Sequence, residues 1–269
     1  MTTTAKDLIA PVEVLTKDTI AGLRVTKPAS EGYINMIIYG DPGAGKTRLA
    51  GSSCVIPEMS PVLLLDWEGG TLSLADDYGA VEVLRPTTWK QVDQIYGNLY
   101  DGNPYKTVIV DSLTEAQKFC MQQIMRDVVE ANPSRDRDIA SLREWGKQGE
   151  QLRRLVRALR DLPCNTIFTA LCNEEKDDSG KLIKRRPALP GQLKGEIAGY
   201  VDIVGFLYQK EFIRGPERDM KTLFLTEMTE KELAKDRSGR LPAVMEAPTM
   251  RDIWNAMQGK GNGNANQSD

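Results

Sequence analysis

The sequence predicts an α/β domain with a mostly parallel central sheet flanked by helices and an antiparallel hairpin near its C-terminal end. Three observations lead there. Short apolar runs alternate along the chain with longer helical patterns, the runs are apolar at nearly every position, and two late β runs flank Gly215-Pro216. A strand covered by helices on both faces has no polar side, so continuous rather than alternating apolar runs mark a buried parallel sheet.

Taken in order, residues 1–32 mix short apolar pieces with Thr, Lys and Pro and are expected to form an arm or small cap, with the core domain over 33–257. The expected strands are INMIIY (34–39), VLLLD (62–66), VEVL (81–84), TVIVD (107–111), NTIFTAL (165–171) and DIVGFLY (202–208). Residues 113–129 form an amphipathic pattern that stops before Asn132-Pro133, and 142–162 carry Leu152, Leu155, Val156 and Leu159 on one stripe, so both read as covering helices. EFIR and TLFLTEM read as the hairpin. The tail QGKGNGNANQSD (258–269) has no apolar residue except alanine and is expected to be disordered.

Composition narrows the chemistry. At 269 residues and 41% hydrophobic the chain can bury one substantial core. A balance of 35 Lys+Arg against 38 Asp+Glu implies no polyanion partner from charge alone, so any nucleic-acid contact must be local. The absence of histidine removes His-based acid–base catalysis, Ser-His and Cys-His nucleophile pairs and most zinc sites. Cys54, Cys120, Cys164 and Cys172 lack CxxC spacing and read as buried free thiols. With no leader pattern and no apolar run of about 18 residues, the expectation is a cytoplasmic protein without membrane contact.

The stretch GDPGAGKTR follows the strand INMIIY and opens a helical pattern, the strand, loop and helix order of a phosphate-binding loop. Gly40, Gly43 and Gly45 let the backbone of Gly40, Asp41, Pro42, Gly43, Ala44 and Gly45 curl so that its N–H groups face an anion. Lys46 is expected to reach the β- and γ-phosphates, Thr47 to hold Mg²⁺ through its hydroxyl, and Arg48 to complete the ATP-binding segment. In KTVIVDS, Asp111 ends an apolar strand and is the expected second magnesium-side residue, with Ser112 beside it; a carboxylate that caps the next helix is the alternative.

Three further stretches carry a family resemblance. LLLDWEGG (63–70) ends a strand in Asp66-Trp67-Glu68 and resembles the RecA-type ATPases, whose equivalent strand ends in Asp-x-Glu; the resemblance makes Glu68 the residue that orients the attacking water. NTIFTALCNEE is read as a strand ending at Asn173, where such enzymes keep a polar γ-phosphate sensor, usually glutamine in RecA itself. AKDRSGRLP (234–242) is similar to the Lys-x-Arg segment that related hexameric helicases carry on a late hairpin, which makes Lys235 and Arg237 cations acting on a neighbouring subunit's ATP. A solvated polar turn is the other reading.

Over residues 32–248 the order of motifs resembles the compact RecA-like P-loop ATPases encoded by phages, which include single-strand annealing and recombination proteins. The resemblance implies a Mg²⁺-dependent ATPase, a homo-oligomer with interface ATP sites, single-stranded DNA as partner with a single-strand binding protein as a further one, and the host cytoplasm as location. It assigns DNA contact to Lys181, Lys184, Arg185, Arg186 and Lys194, in a segment of about twenty residues after Asn173 that lacks clear periodicity. Arg153, Arg157 and Arg160 share one helix face, where ion pairing with Glu150 or Asp161 is expected. The competing function is a P-loop ATPase that acts on protein partners in replication or packaging; a small-molecule kinase fits less well.

Overall fold

The structure is a computed structural model. It describes residues 19–20, 23–24, 32–214 and 217–259. The chain divides into two units, Met1–Gly32 and Tyr33–Asp269. In the first, β1 (Thr19–Ile20) and β2 (Leu23–Arg24) pair antiparallel. The tail expected to be disordered lies outside the described residues from 260 onward.

The second unit runs β3 (Asn35–Gly40), α1 (Lys46–Gly51), β4 (Val62–Asp66), β5 (Glu82–Leu84), α2 (Gln91–Gly102), β6 (Thr107–Asp111), α3 (Leu113–Ala131), α4 (Leu142–Arg160), β7 (Asn165–Lys176), β8 (Leu182–Pro187), α5 (Leu193–Tyr200), β9 (Ile203–Arg214), β10 (Glu217–Leu225), β11 (Lys235–Asp236), β12 (Val244–Glu246) and α6 (Met250–Met257). The sheet order is β12-β10-β9-β3-β7-β6-β4-β5, with β8 on β7 and β11 on β9. From β9 to β5 every neighbouring pair is parallel, and β10 and β12 extend the sheet antiparallel.

Successive strand residues point to opposite faces, so each apolar run feeds two cores. Ile37, Tyr39, Val108, Val110, Phe168 and Ala170 pack under α2 to α5, whereas Met36, Ile38, Ile109 and Ile167 pack under α1 and α6. The expected stripe of Leu152, Leu155, Val156 and Leu159 is buried in the first of these cores. Local signals set the helix starts: the Ser112 hydroxyl accepts the Glu115 N–H, and capping boxes open α4 at Ser141 and Glu144 and α6 at Thr249 and Asp252. Ser112, the residue beside Asp111, thus caps α3. Cys54, Cys120 and Cys164 are buried and Cys172 half-buried, all as free thiols.

Two strand expectations needed correction. DIVGFLY and EFIR are one strand, β9, whose residues Ile203 to Phe206 pair with β3 while β10 pairs with it from Phe206 to its end. The twenty-residue segment after Asn173 is not irregular. β7 continues to Lys176, the chain turns at Asp177, and β8 returns antiparallel with Asn173 opposite Arg186. No local signal marks it: a ribbon beyond the packed sheet has little apolar surface to bury, so it lacks the apolar run that marks a core strand.

Within β9, a Cβ on Gly205 would lie 1.9 Å from the ring of Phe224, which is fully buried. Gly205→Ala is therefore expected to lower unfolding stability by about 1–3 kcal/mol through overpacking, and urea denaturation measures it. A variant as stable as the parent would mean that the ring relocates freely.

Candidate functional site

Because β3, β4, β6 and β7 are parallel, their C-terminal ends share one edge of the sheet. Gly40 is level with Leu171, and Asp66 with Asp111. The loop from Asp41 to Gly45 leaves that edge and turns into α1. Gly43 and Gly45 have φ of 79° and 96°, a sign that side chains with a Cβ resist, and no atom lies near where a Cβ would stand on either. Gly40 serves a different purpose from the curl expected of it. A Cβ there would lie 2.0 Å from the carbonyl oxygen of Leu207, so this glycine lets β3 and β9 pack closely.

Lys46 is buried, and its Nζ donates to the carbonyls of Gly40 (3.1 Å) and Asp41 (2.8 Å). Burial pushes its pKa down, while the carboxylates of Glu68, Asp111 and Asp41 act to hold it up. The Thr47 hydroxyl donates to Asp111 Oδ2 at 2.8 Å, and the Thr169 hydroxyl donates to Asp111 Oδ1. Asp111 is 1% exposed; burial raises its pKa, and the two hydroxyl bonds oppose that shift. A hydroxyl and a carboxylate are hard oxygen donors, and here they meet beside a buried ammonium and a curled glycine loop. This donor set fits a nucleoside triphosphate with Mg²⁺.

The turn after β4 is held from below. Asp66 is buried, its Oδ1 accepting the N–H groups of Glu68 (3.2 Å) and Gly69 (2.6 Å) and its Oδ2 accepting Arg85 Nε (3.0 Å). Arg85 also donates to the Thr71 hydroxyl, and Trp67 N–H donates to the Asp111 carbonyl at 2.7 Å. The Trp67 ring packs edge-on against Phe119, 5.0 Å between centroids. Glu68 is left exposed on a fixed backbone, and among neighbouring carboxylates it has the largest effect on Lys46. Sequence reasoning selected Glu68 but missed Asp66, Arg85 and Thr169. An Asp at a strand end before Gly-Gly does signal a side chain that bonds the following turn; nothing local marks Arg85 or Thr169.

Asn173 lies on β7 two residues beyond the level of Gly40. Of the five expected DNA-contacting cations, two are engaged by acids. Arg185 bonds Glu174 (3.0 Å) and Glu232 (2.9 Å), and Lys194 pairs with Glu175. Lys181, Lys184 and Arg186 make no ion pair among the described residues. On α4, Arg153 pairs with Glu196 and Glu150, Arg160 with Asp161, and Arg157 lies over the Tyr200 ring. Arg48 pairs with Asp77 at 2.5 Å and lies over Tyr78.

Lys235 and Arg237 stand apart from this edge, in the connection between the antiparallel strands β10 and β12. β11 pairs with the start of β9, Lys235 opposite Val204, which is itself level with Ile37. The Arg237 N–H bonds the Asp202 carbonyl, level with Asn35, five residues or about 17 Å below Gly40. Lys235 donates to the carbonyls of Ala198 and Val201 at the end of α5, and Arg237 to Asp202 (2.7 Å) and the Gly199 carbonyl (3.3 Å). The turn is ordered by Asp236, which accepts from Ser238, Arg240 and Leu241.

A family described as an AAA domain matches residues 33–238, from two residues before β3 through β11. The chain belongs to that AAA domain family. It is a P-loop ATPase domain, built to bind and hydrolyse ATP in the general sense of the family. No curated protein matches the chain. Among the described residues of this AAA domain, no helix is long and apolar enough to cross a membrane.

The Asp111 bonds make a direct expectation. Thr169→Val removes a donor from a buried carboxylate and is expected to cost about 1–3 kcal/mol in urea unfolding, while Thr169→Ser retains most of the stability. Equal stability of the two variants would remove Thr169 from the site.

Proposed function

We propose that this ATPase acts on single-stranded DNA and is a RecA-like recombination protein of the kind encoded by phages, promoting annealing or strand exchange in the host cytoplasm. One observation supports this most directly: β7 is a single strand that meets Asp111 through Thr169, passes Asn173, and ends in a ribbon whose return strand bears Lys184 and Arg186. A hydrogen-bonded ribbon is stiff, so a change at Asn173 can be carried to the cations that would meet DNA phosphates.

The residues then take the following roles. The loop from Gly40 to Arg48 cradles the triphosphate, with Lys46 as its charge clamp and Asn173 as its sensor. Thr47 and Asp111 hold Mg²⁺, which when bound supplies positive charge to the phosphate oxygens. Glu68 accepts a hydrogen bond from the attacking water and orients it. Lys181, Lys184 and Arg186 bind the DNA backbone, and Arg185 and Lys194 join them where their acid partners yield. Lys235 and Arg237 lie too far below their own loop to serve it, which favours action on a neighbouring subunit's ATP in an oligomer.

The deciding experiment measures ATP turnover with and without single-stranded DNA; stimulation is expected, and none would favour the rival reading of an ATPase that acts on protein partners. Glu68→Gln is expected to keep ATP affinity and lose turnover, and Lys46→Ala to lose ATP binding. If Arg237 acts in trans, mixing Arg237→Ala with Lys46→Ala subunits restores some turnover, because some interfaces pair an intact loop with an intact arginine. Co-assembled mixtures without rescue would leave Arg237 as a clamp on α5.

A further inference from the structure

A cleft of about 1180 Å³ opens between α3, the first turns of α4 and the segment Ala188–Lys194, and Asn173 reaches its wall. Apart from Asn173 and Lys194, its lining residues have no part in the nucleotide site or in the β7–β8 ribbon. We propose that this cleft receives an unstacked base of single-stranded DNA, with Trp145 as the stacking platform and Arg126 and Arg137 on the flanking phosphates. The proposal rests on the single-stranded DNA reading above and says where in the molecule bases, as distinct from phosphates, are held.

The first ground is charge. Among the titratable lining residues, Lys118, Arg126, Arg137 and Lys194 face one acid, Asp138, in a chain whose net charge is -3. Lys118 pairs with Glu115 at 2.5 Å and Lys194 with Glu175, whereas Arg126 and Arg137 make no ion pair among the described residues. Two uncommitted guanidinium groups beside a concave surface are suited to phosphates.

The second ground is the aromatic surface that the ribbon lacks. Trp145 is 51% exposed at the cleft wall, with Met121 also lining the cleft. An indole left in water forgoes the burial that normally justifies its size, and a nucleobase covers a flat ring well. In a duplex both faces of each base are already stacked, so a platform of this kind selects single strands.

The third ground is an orphaned acceptor. Gln148 is 2% exposed at the cleft, its Nε2 donates to the Gln117 carbonyl at 2.6 Å, and its Oε1 has no donor among the described residues. The Gln117 bond fixes which end of the amide is which. A base brings N–H donors and a phosphate brings none, so once the side chains that cover this oxygen part, the orphan favours a base. Asn173 on the same wall ties the cleft to β7, so one side chain lies between the nucleotide edge and the bound strand.

The test uses the full chain and a fluorescein-labelled oligothymidylate of about 20 nucleotides, long enough to span several nucleotides of contact. Trp145→Ala is expected to weaken binding about tenfold and Trp145→Phe far less, since phenylalanine retains a stacking face. The Arg126→Ala/Arg137→Ala pair is expected to reduce the slope of log affinity against log salt by about 1.4. In the parent protein the oligonucleotide should quench part of the tryptophan emission, and that part should vanish in Trp145→Phe; the chain has four tryptophans, so the difference isolates one. If the parent binds no single-stranded DNA, both this proposal and the reading beneath it fail. If the parent binds while Trp145→Ala matches it and emission is unchanged, the cleft is not the base site and the reading stands. Concentration-dependent self-association lost in Trp145→Ala, without any loss of DNA affinity, would show that a second copy of the chain fills the cleft and would also overturn the proposal.

Discussion

The Asp111 carboxylate ties together parts of the chain that are far apart in sequence. Its two oxygens accept hydroxyls from Thr47, on the helix after the glycine loop, and Thr169, on the strand between β3 and β6. The backbone carbonyl of the same residue accepts Trp67 N–H, so the turn bearing Glu68 is fastened to it as well. A carboxylate this deeply buried is costly unless its lone pairs are satisfied. The requirement to satisfy them fixes the spacing of loop, strand and turn, and the parallel register brings all three to one edge.

Parallel strands also give the sheet two chemically different edges. At the C-terminal edge the strands end in Gly40, Asp66 and Asp111, where polar groups converge. At the opposite edge Lys235 and Arg237 bond carbonyls at the C-terminal end of α5, an arrangement favoured by the negative end of the helix dipole. Burial depresses the Lys235 pKa and the nearby Arg237 charge adds to that, so the pair is held in place by oxygen ligands at some electrostatic cost. Two cations fixed in this way clamp the end of α5 to the start of β9.

Beyond the sheet, β7 and β8 form a polar ribbon in which acids and bases alternate across the strands. Glu174 stands opposite Arg185 and Glu175 opposite Lys184. Such cross-strand pairs stabilise a ribbon that buries little apolar surface, each by a fraction of a kcal/mol. Arg185 is the anchor, bridging Glu174 and Glu232 and lying over Phe206, so the ribbon is docked to the last part of the sheet as well as to its own partner strand.

How much was legible in the sequence follows from whether a feature has a local cause. The apolar runs determined the parallel sheet and its helix-covered faces, since burial on both sides leaves no polar position to hide the pattern. GDPGAGKT determined the loop, because positive φ at Gly43 and Gly45 is a demand on residue type at fixed positions. Asp111 stood out as an acid at a strand end, and Glu68 through the resemblance of LLLDWEGG to the RecA-type ATPases. Tertiary structure alone decided that Thr169 bonds Asp111 across two strands, that Arg85 steadies Asp66, that Gly40 is needed by Leu207, and that Trp145 shares a cleft with Asn173. Each of these joins residues separated by 19 positions or more, and a contact made by chain crossing leaves no periodicity and no spacing for a sequence to display.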